Sequence, residues 1–319
     1  MAHYKPADSL ESPRFCGIRT FMRLPYVAAV EEADFAVVGI PFDTGVTFRA
    51  GARFGPEAIR SNSVILKPYN IALDVDIFDC CSGYDFGDLS VVPGSITDSY
   101  ERIENGLMPL LDKGVIPIAL GGDHAITLAE LRAMAQKHGP VALVQFDSHA
   151  DTMDSYFGQR YNHGTPFRRA VEEGLLLTEH SIQVGIRGSV YSKDDLKVPR
   201  TLGLQLITAV EAQELGIQGI IRKIRERVRE AKVFITFDID FVDAAYAPGT
   251  GTPEVGGFTS VESLRLVRGL AGLNMVGCDV VEVLPAHDPT QITAFLASTI
   301  AYEFISLVAL KRKNDLKSH

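Results

Sequence analysis

Val141-Ala142-Leu143-Val144-Gln145-Phe146-Asp147-Ser148-His149-Ala150-Asp151 is the stretch on which the fold turns. Its first half is a short, nearly uninterrupted apolar run rich in β-branched residues, the look of a parallel strand buried on both faces. The second half leaves that strand with Asp, His and Asp at alternate positions. Side chains two apart on extended backbone share a face. Two carboxylates and an imidazole at the end of a buried strand are costly unless something cationic compensates them. The plainer reading, a solvated turn, does not account for so apolar a strand running into this alternation.

The same pattern recurs outward in both directions. Phe35–Ile40, Val115–Leu120, Ile182–Ile186, Leu204–Ile207, Val233–Phe237 and Met275–Val281 read as further buried strands. Between them the spacing predicts helices at Pro56–Ser63, Asp98–Asp112, Thr127–Lys137, Ile217–Glu230 and Ser260–Leu270, and a closing helix at Thr293–Lys311. Thr259-Ser260-Val261-Glu262 has capping-box spacing, and Pro56 sits where a first helical residue would. Pro109 threatens the second helix. Strand followed by helix, repeated, means an α/β fold with a mainly parallel sheet covered by helices. With no linker, repeat or low-complexity stretch, residues 1–319 are expected to form one domain, residues 1–30 being an arm laid on the body or on a neighbouring subunit.

Composition narrows the function classes. The net charge of −9 argues against a nucleic-acid footprint, and 46% apolar residues supply a large core. Lys311-Arg312-Lys313 reads as the solvated end of the last helix. Cys16, Cys80, Cys81 and Cys278 show neither CxxC spacing nor the density of a disulfide scaffold. No charged-then-apolar leader is visible, and no apolar run reaches membrane-spanning length. A cytoplasmic enzyme or binding protein is expected.

Two other segments resemble the first. Gly121-Gly122-Asp123-His124 follows the strand Val115–Leu120, its glycines letting the chain turn tightly and aim His124. Alone, a histidine there is ordinarily a polar loop residue. Asp238-Ile239-Asp240 ends the strand Val233–Phe237, again with two carboxylates on one face. Strand ends of this kind line the crevice where open α/β sheets build sites. Together, His124, Asp147, His149, Asp151, Asp238 and Asp240 give mixed N/O ligation. That set suits manganese and leaves cobalt, nickel or zinc open. Six side chains are too many for one catalytic zinc. Two cations sharing aspartates would lower the pKa of a water between them.

The blocks GGDH (Gly121–His124), DSHAD (Asp147–Asp151) and FDIDFVDAAYAPGTGTPEVGG (Phe237–Gly257) resemble the signature blocks of the ureohydrolases, the arginase/agmatinase family. The resemblance runs from the arm before Phe35 to Ile305. It implies a three-layer α/β/α fold, two Mn2+ ions (Ni2+ or Co2+ being alternatives), a homo-oligomer (trimer or hexamer) and hydrolysis of a guanidino group to urea and an amine. One ion would be held by His124, Asp147, Asp151 and Asp238, the other by Asp147, His149, Asp238 and Asp240, with Asp147 and Asp238 bridging. His163 matches a proton-handling histidine and Glu282 the acid that grips the guanidinium; both, with Asp151, are the expected catalytic groups. Ser148 stands where the family mostly has alanine, and Ala244 replaces a common proline.

Within the family, the arm and Tyr156-Phe157-Gly158, His163–Arg169 and Gly185–Ser192 look like the agmatinase branch. There they are most similar to its guanidinopropionase, guanidinobutyrase and proclavaminate amidinohydrolase group. A guanidino acid is thus the expected substrate, with agmatine as alternative. Tyr156 would set substrate length. Arg160, Arg168 or Arg187 could meet a carboxylate, although each alone reads as a surface or interface charge. A zinc amide hydrolase and a non-catalytic partner subunit are the competing classes. The intact ligands count against both.

Overall fold

A computed structural model describes residues 3–317; residues 1–2 of the expected arm and 318–319 of the expected domain lie outside it. Its strands are β1 Phe35–Ile40, β2 Tyr69–Asn70, β3 Val75–Asp76, β4 Gly83–Asp88, β5 Ile116–Gly121, β6 Ala142–Phe146, β7 Ile182–Ile186, β8 Gln205–Thr208, β9 Lys232–Asp238 and β10 Asn274–Val281. Eight of them form one sheet in the order β4-β1-β5-β10-β9-β6-β7-β8, and β2 and β3 make a separate hairpin. Every pairing in the large sheet is parallel. The expected strands are present with ends shifted by a residue or so. The edge strand β4 escaped the pattern because Gly83-Tyr84-Asp85-Phe86-Gly87-Asp88 lacks the β-branched run of a central strand.

The helices are α1 Gly55–Ser63, α2 Ile77–Cys80, α3 Ile96–Asp112, α4 Ile126–His138, α5 Pro166–Glu172, α6 Val198–Thr201, α7 Ala209–Val228, α8 Ser260–Gly269 and α9 Ile292–Lys317. One face of the sheet packs on α3 and α4, the other on α1, α7, α8 and α9, which makes the layers α/β/α. The capping box at Thr259 and Glu262 is formed, and a second one, Thr208 with Glu211, starts α7. α7 begins earlier than the pattern suggested because it is two helical pieces joined at Gly216 (φ 62°), and the second piece begins near the expected Ile217. Pro109 leaves α3 unbroken. Pro109 and Asn105, whose carbonyl loses its partner, are both exposed, so water can take the freed acceptor.

Two sequence expectations need correction. α9 is long and apolar enough to cross a membrane by length and composition, with mean hydropathy 1.7 over its most apolar stretch. However, 83% of that stretch is buried inside the protein, as suits a central core helix. Nor does Lys311-Arg312-Lys313 end the last helix, which runs on to Lys317; Lys311 and Arg312 are exposed, Arg312 also pairs with Asp34 (3.4 Å), and Lys313 donates to the Asp74 carbonyl (2.6 Å). The arm lies on the β4 edge, where Val27 N–H donates to Asp85 O, Gly83 N–H to Tyr4 O and Phe21 N–H to the buried Asp85 carboxylate.

Candidate active site

β10 inserts between β5 and β9, so β5, β10, β9 and β6 are consecutive in the sheet. Their C-terminal ends carry His124, Glu282, Asp238 with Asp240, and Asp147 through Asp151, in that order. Residues 158 apart in sequence thereby touch: His124 N–H donates to Glu282 Oε1 at 2.9 Å.

Five of the six expected ligands fall in two overlapping groups that could hold metal ions, His124–Asp147–Asp151 and Asp147–His149–Asp240, and the sixth, Asp238, borders the first through His124. His124 Nδ1 lies 3.0 Å from Asp147 Oδ2, 3.0 Å from Asp151 Oδ2 and 3.3 Å from Asp238 Oδ2. His149 Nδ1 lies 3.0 Å from Asp240 Oδ2 and 3.6 Å from Asp147 Oδ1. The side chains of Asp147, His149 and Asp151 do not meet by alternating along an extended strand. Beyond Phe146 the chain leaves the strand, and Asp151 has left-handed backbone (φ 49°). Both acidic segments instead fold as local turns: His149 N–H donates to Asp147 Oδ1 (2.6 Å) and Asp240 N–H to Asp238 Oδ1 (2.8 Å). These bonds leave the second oxygen of each aspartate facing the cluster.

The donor set fits a cation. His124 Nε2 and Thr236 Oγ1 lie 2.8 Å apart, and with the imidazole proton on Nε2 the ring donates there and leaves Nδ1 bare. That atom is fully buried and has no hydrogen-bond partner, although carboxylate oxygens surround it. A lone pair facing carboxylates is repulsive unless a positive ion stands between them. The charges agree: burial, then Asp240 and Asp147, push the Asp238 carboxyl well above the usual range. Burial would also raise Asp147, but the imidazoles of His124 and His149 beside it outweigh that and hold the group low.

Glu282 stands one residue beyond β10, not inside it, with left-handed backbone (φ 64°) that turns its carboxylate into the site. Oε1 also accepts from His163 Nδ1 (3.0 Å), while Oε2 is buried and unpartnered. His163 Nε2 faces two groups of Thr47, Oγ1 at 2.7 Å and N–H at 3.1 Å. The hydroxyl can accept from a protonated Nε2 and the amide can donate to a bare one, so both proton states are accommodated. Burial works against the imidazolium, but the Glu282 carboxylate outweighs it and lifts His163 to about 9.

A cavity of about 560 Å3 opens over the cluster, lined among others by His149, Asp151, His163, Tyr156, Arg168 and Tyr191. The Tyr156 and Tyr191 hydroxyls meet at 2.6 Å on its wall, and burial followed by that bond raises Tyr156 to about 12. Arg168 lines the cavity and pairs with Glu172 (3.2 Å) and Asp154 (3.4 Å). Arg187 is not free for a substrate: its guanidinium donates to the carbonyls of Asp240 (2.6 Å), Glu254 (2.8 Å) and Phe241 (3.1 Å), pinning the Asp238–Asp240 loop to its neighbour. Arg160 is an exposed partner of Glu172. A cavity of about 510 Å3 elsewhere, lined by Asp34, Lys113, Lys311 and Arg312, holds none of these acidic or imidazole groups of the cluster.

Sequence reasoning missed the supports. Ser148 is buried and donates to Asp240 Oδ1 (2.6 Å), so the departure from alanine adds a hydrogen bond to a candidate ligand. Gln145 Nε2 donates to Asp147 Oδ2 (2.7 Å), and Gln183 Nε2 to the Ala150 carbonyl (2.7 Å). Their signal was a lone polar residue inside a buried strand. Nor do Gly121 and Gly122 supply left-handed backbone. Gly122 is required by close approach, since a Cβ there would stand 1.8 Å from Phe42 O.

Comparison with known proteins agrees with this architecture. The arginase family model matches residues 33–306. The chain belongs to the arginase family. It is 44% identical to the guanidinopropionase of Pseudomonas aeruginosa over 308 residues, covering 96% of each chain. It is 42% identical to the guanidinobutyrase of the same organism, covering 96% of this chain and 97% of that one. The solved proclavaminate amidinohydrolase of Streptomyces clavuligerus superposes with a TM-score of 0.90 at 42% identity, over 94% of this chain and 99% of that one.

Proposed function

We propose that this arginase-family chain is a two-metal amidinohydrolase that cleaves a linear guanidino acid, such as 3-guanidinopropanoate or 4-guanidinobutanoate, into urea and an amine. The observation that carries the reading is the pairing of the two donor groups sharing Asp147 with the unpartnered Glu282 Oε2 beside them. The names and extent of the relatives support the reaction class. His124, Asp147, His149, Asp151, Asp238 and Asp240 would hold two divalent cations. Manganese fits this hard N/O set, and nickel or cobalt are alternatives. A bound pair of such ions supplies Lewis acidity and an acidified water.

The chain's own groups do the rest. Glu282 Oε2 accepts from the substrate guanidinium, a forked cation matched to a carboxylate, and holds its trigonal carbon over the cluster. Asp151, at the junction of cluster and cavity, takes the proton that the attacking water releases. His163 returns a proton at Nε2 to the departing amine nitrogen, while Nδ1–H stays on Glu282. Water adds to the carbon, the C–N bond to the chain nitrogen breaks, and urea and an ammonium product result. Tyr156 on the cavity wall limits substrate length. With Tyr191 it offers a phenolic donor, and Arg168 a charge, to a distal carboxylate. The family resemblance and the exposed apolar side chains of the arm, Leu10, Phe15 and Ile18, support a homo-oligomer, a trimer or hexamer.

Urea release by manganese-loaded protein, assayed against the two acids, agmatine and arginine, tests the proposal. Turnover of an acid is expected. Turnover of agmatine alone would refute the acid preference, and silence on all four, repeated with nickel and cobalt, would refute the reaction.

A further inference from the structure

The proton that His163 gives up at Nε2 has no direct path to a departing nitrogen. A ring nitrogen donates along a single in-plane direction. At Nε2 that direction is taken by Thr47, whose Oγ1 lies at 2.7 Å and whose N–H lies at 3.1 Å. Thr47 lines the cavity over the cluster, as His163, Asp151 and Asp238 do, and it is the more exposed of the pair: His163 is buried, Thr47 half-buried. The loop that carries Thr47 is held in place on several sides. The buried Asp43 carboxylate accepts from Gly51 N–H (2.7 Å) and pairs with Arg53, which closes the loop on itself. The buried Asp123 carboxylate, just beyond β5, accepts from Gly45 N–H (2.8 Å). Gly45 O accepts in turn from His163 N–H (3.0 Å), so Thr47 and His163 are fixed to one piece of backbone.

We propose that the Thr47 hydroxyl is a further catalytic group of this site, passing the proton of His163 Nε2 to the chain nitrogen of the substrate as the C–N bond breaks. This rests on the amidinohydrolase reading above. A hydroxyl can accept one proton while giving another. In the step, the Nε2–H bond breaks and a new O–H bond forms at Oγ1, while the proton Thr47 already carried goes to the chain nitrogen. The electron pair of the C–N bond stays on that nitrogen, which leaves as the amine. His163 is left neutral, its Nδ1–H still on Glu282, and Thr47 ends with the composition it began with. No charge builds on the hydroxyl oxygen, because it gains a proton as it loses one. The Thr47 N–H then faces a bare Nε2 and can donate to it, so the neutral ring is held in the same place.

Thr47→Val is the test, because a methyl of the same shape keeps Nε2 covered and removes only the hydroxyl. Urea release by manganese-loaded protein is measured over a range of concentrations of the guanidino substrate that wild type turns over, with bound metal counted on the same samples. In Thr47→Val, kcat should fall by roughly 10²- to 10⁴-fold, the range for losing a general acid, while KM stays within a few-fold and metal content matches wild type. Thr47→Ser, which keeps a hydroxyl, should recover most of the lost turnover. Spectra of 15N-histidine-labelled protein should show the His163 Nδ1–H still bonded to Glu282 in Thr47→Val, as in wild type. A kcat near wild type in Thr47→Val, a Thr47→Ser as slow as the valine variant, or a fall in kcat that tracks lost metal overturns the relay. So does a His163 ring that has left Glu282 in Thr47→Val, since Thr47 would then only position it. Wild type that releases urea beside an unimpaired valine variant sinks the relay alone. Wild type silent on every guanidino substrate sinks the amidinohydrolase reading and the relay with it.

Discussion

Glu282→Gln is the most informative single change, because it keeps the shape of the side chain and removes only its charge and half its accepting capacity. Oε1 is already engaged by His124 N–H (2.9 Å) and His163 Nδ1 (3.0 Å). The glutamine carbonyl must take that place, since the backbone N–H of His124 cannot turn away. The amide NH2 then falls where Oε2 now waits unpartnered, presenting donors to a guanidinium that itself only donates. A hydrogen bond to a charged group contributes about 1.5–3 kcal/mol. Losing one or two of them therefore predicts a deficit of about 1.5–6 kcal/mol, or a roughly 10- to 10⁴-fold fall in kcat/KM. Urea release measured over a range of substrate concentrations gives kcat/KM, and metal counting on the same samples gives occupancy. Occupancy should stay at the wild-type level because Glu282 is not among the grouped ligands. A fall in activity that tracks lost metal, or a kcat/KM within a few-fold of wild type, would refute the assigned role.

Asp238→Ala removes an oxygen 3.3 Å from His124 Nδ1 and the acceptor for Asp240 N–H, so both donor groups should suffer. Urea release should fall by more than the roughly 10- to 100-fold that losing a supporting group costs, with fewer than two ions retained on metal counting. Gly122→Ala would drive a Cβ to 1.8 Å from Phe42 O, backbone that cannot rotate aside. Thermal denaturation should show a loss at or above the roughly 1–3 kcal/mol of ordinary overpacking. His163, raised to about 9 from 6.5, contributes stability that is whole below pH 6.5 and lost as pH climbs through 9. The stability advantage of wild type over His163→Gln, on the order of 3 kcal/mol at most, should therefore shrink between pH 6.5 and 9.5 in paired denaturation curves; an advantage that grows with pH would reverse the assignment.

Much of this protein was decided by sequence alone, and the physical reason is local. A buried parallel strand must be continuously apolar, so β1, β6, β7, β9 and β10 announce themselves. An Asp-x-His or Asp-x-Asp at such a strand's end has no cheap explanation without a cation, so the candidate ligands do too. The edge strand β4, lacking that apolar demand, was silent. What the sequence could not decide was adjacency. Nothing local says that β10 enters between β5 and β9, yet that insertion sets Glu282 against His124 and His163, and Asp279 against Thr236. Arg187 shows the same limit: beside the cavity in sequence terms it was a candidate for substrate, whereas the tertiary structure surrounds it with carbonyls. A side chain's chemistry is a property of its residue type, but its partner is a property of how the chain returns, and only the packed sheet fixes that.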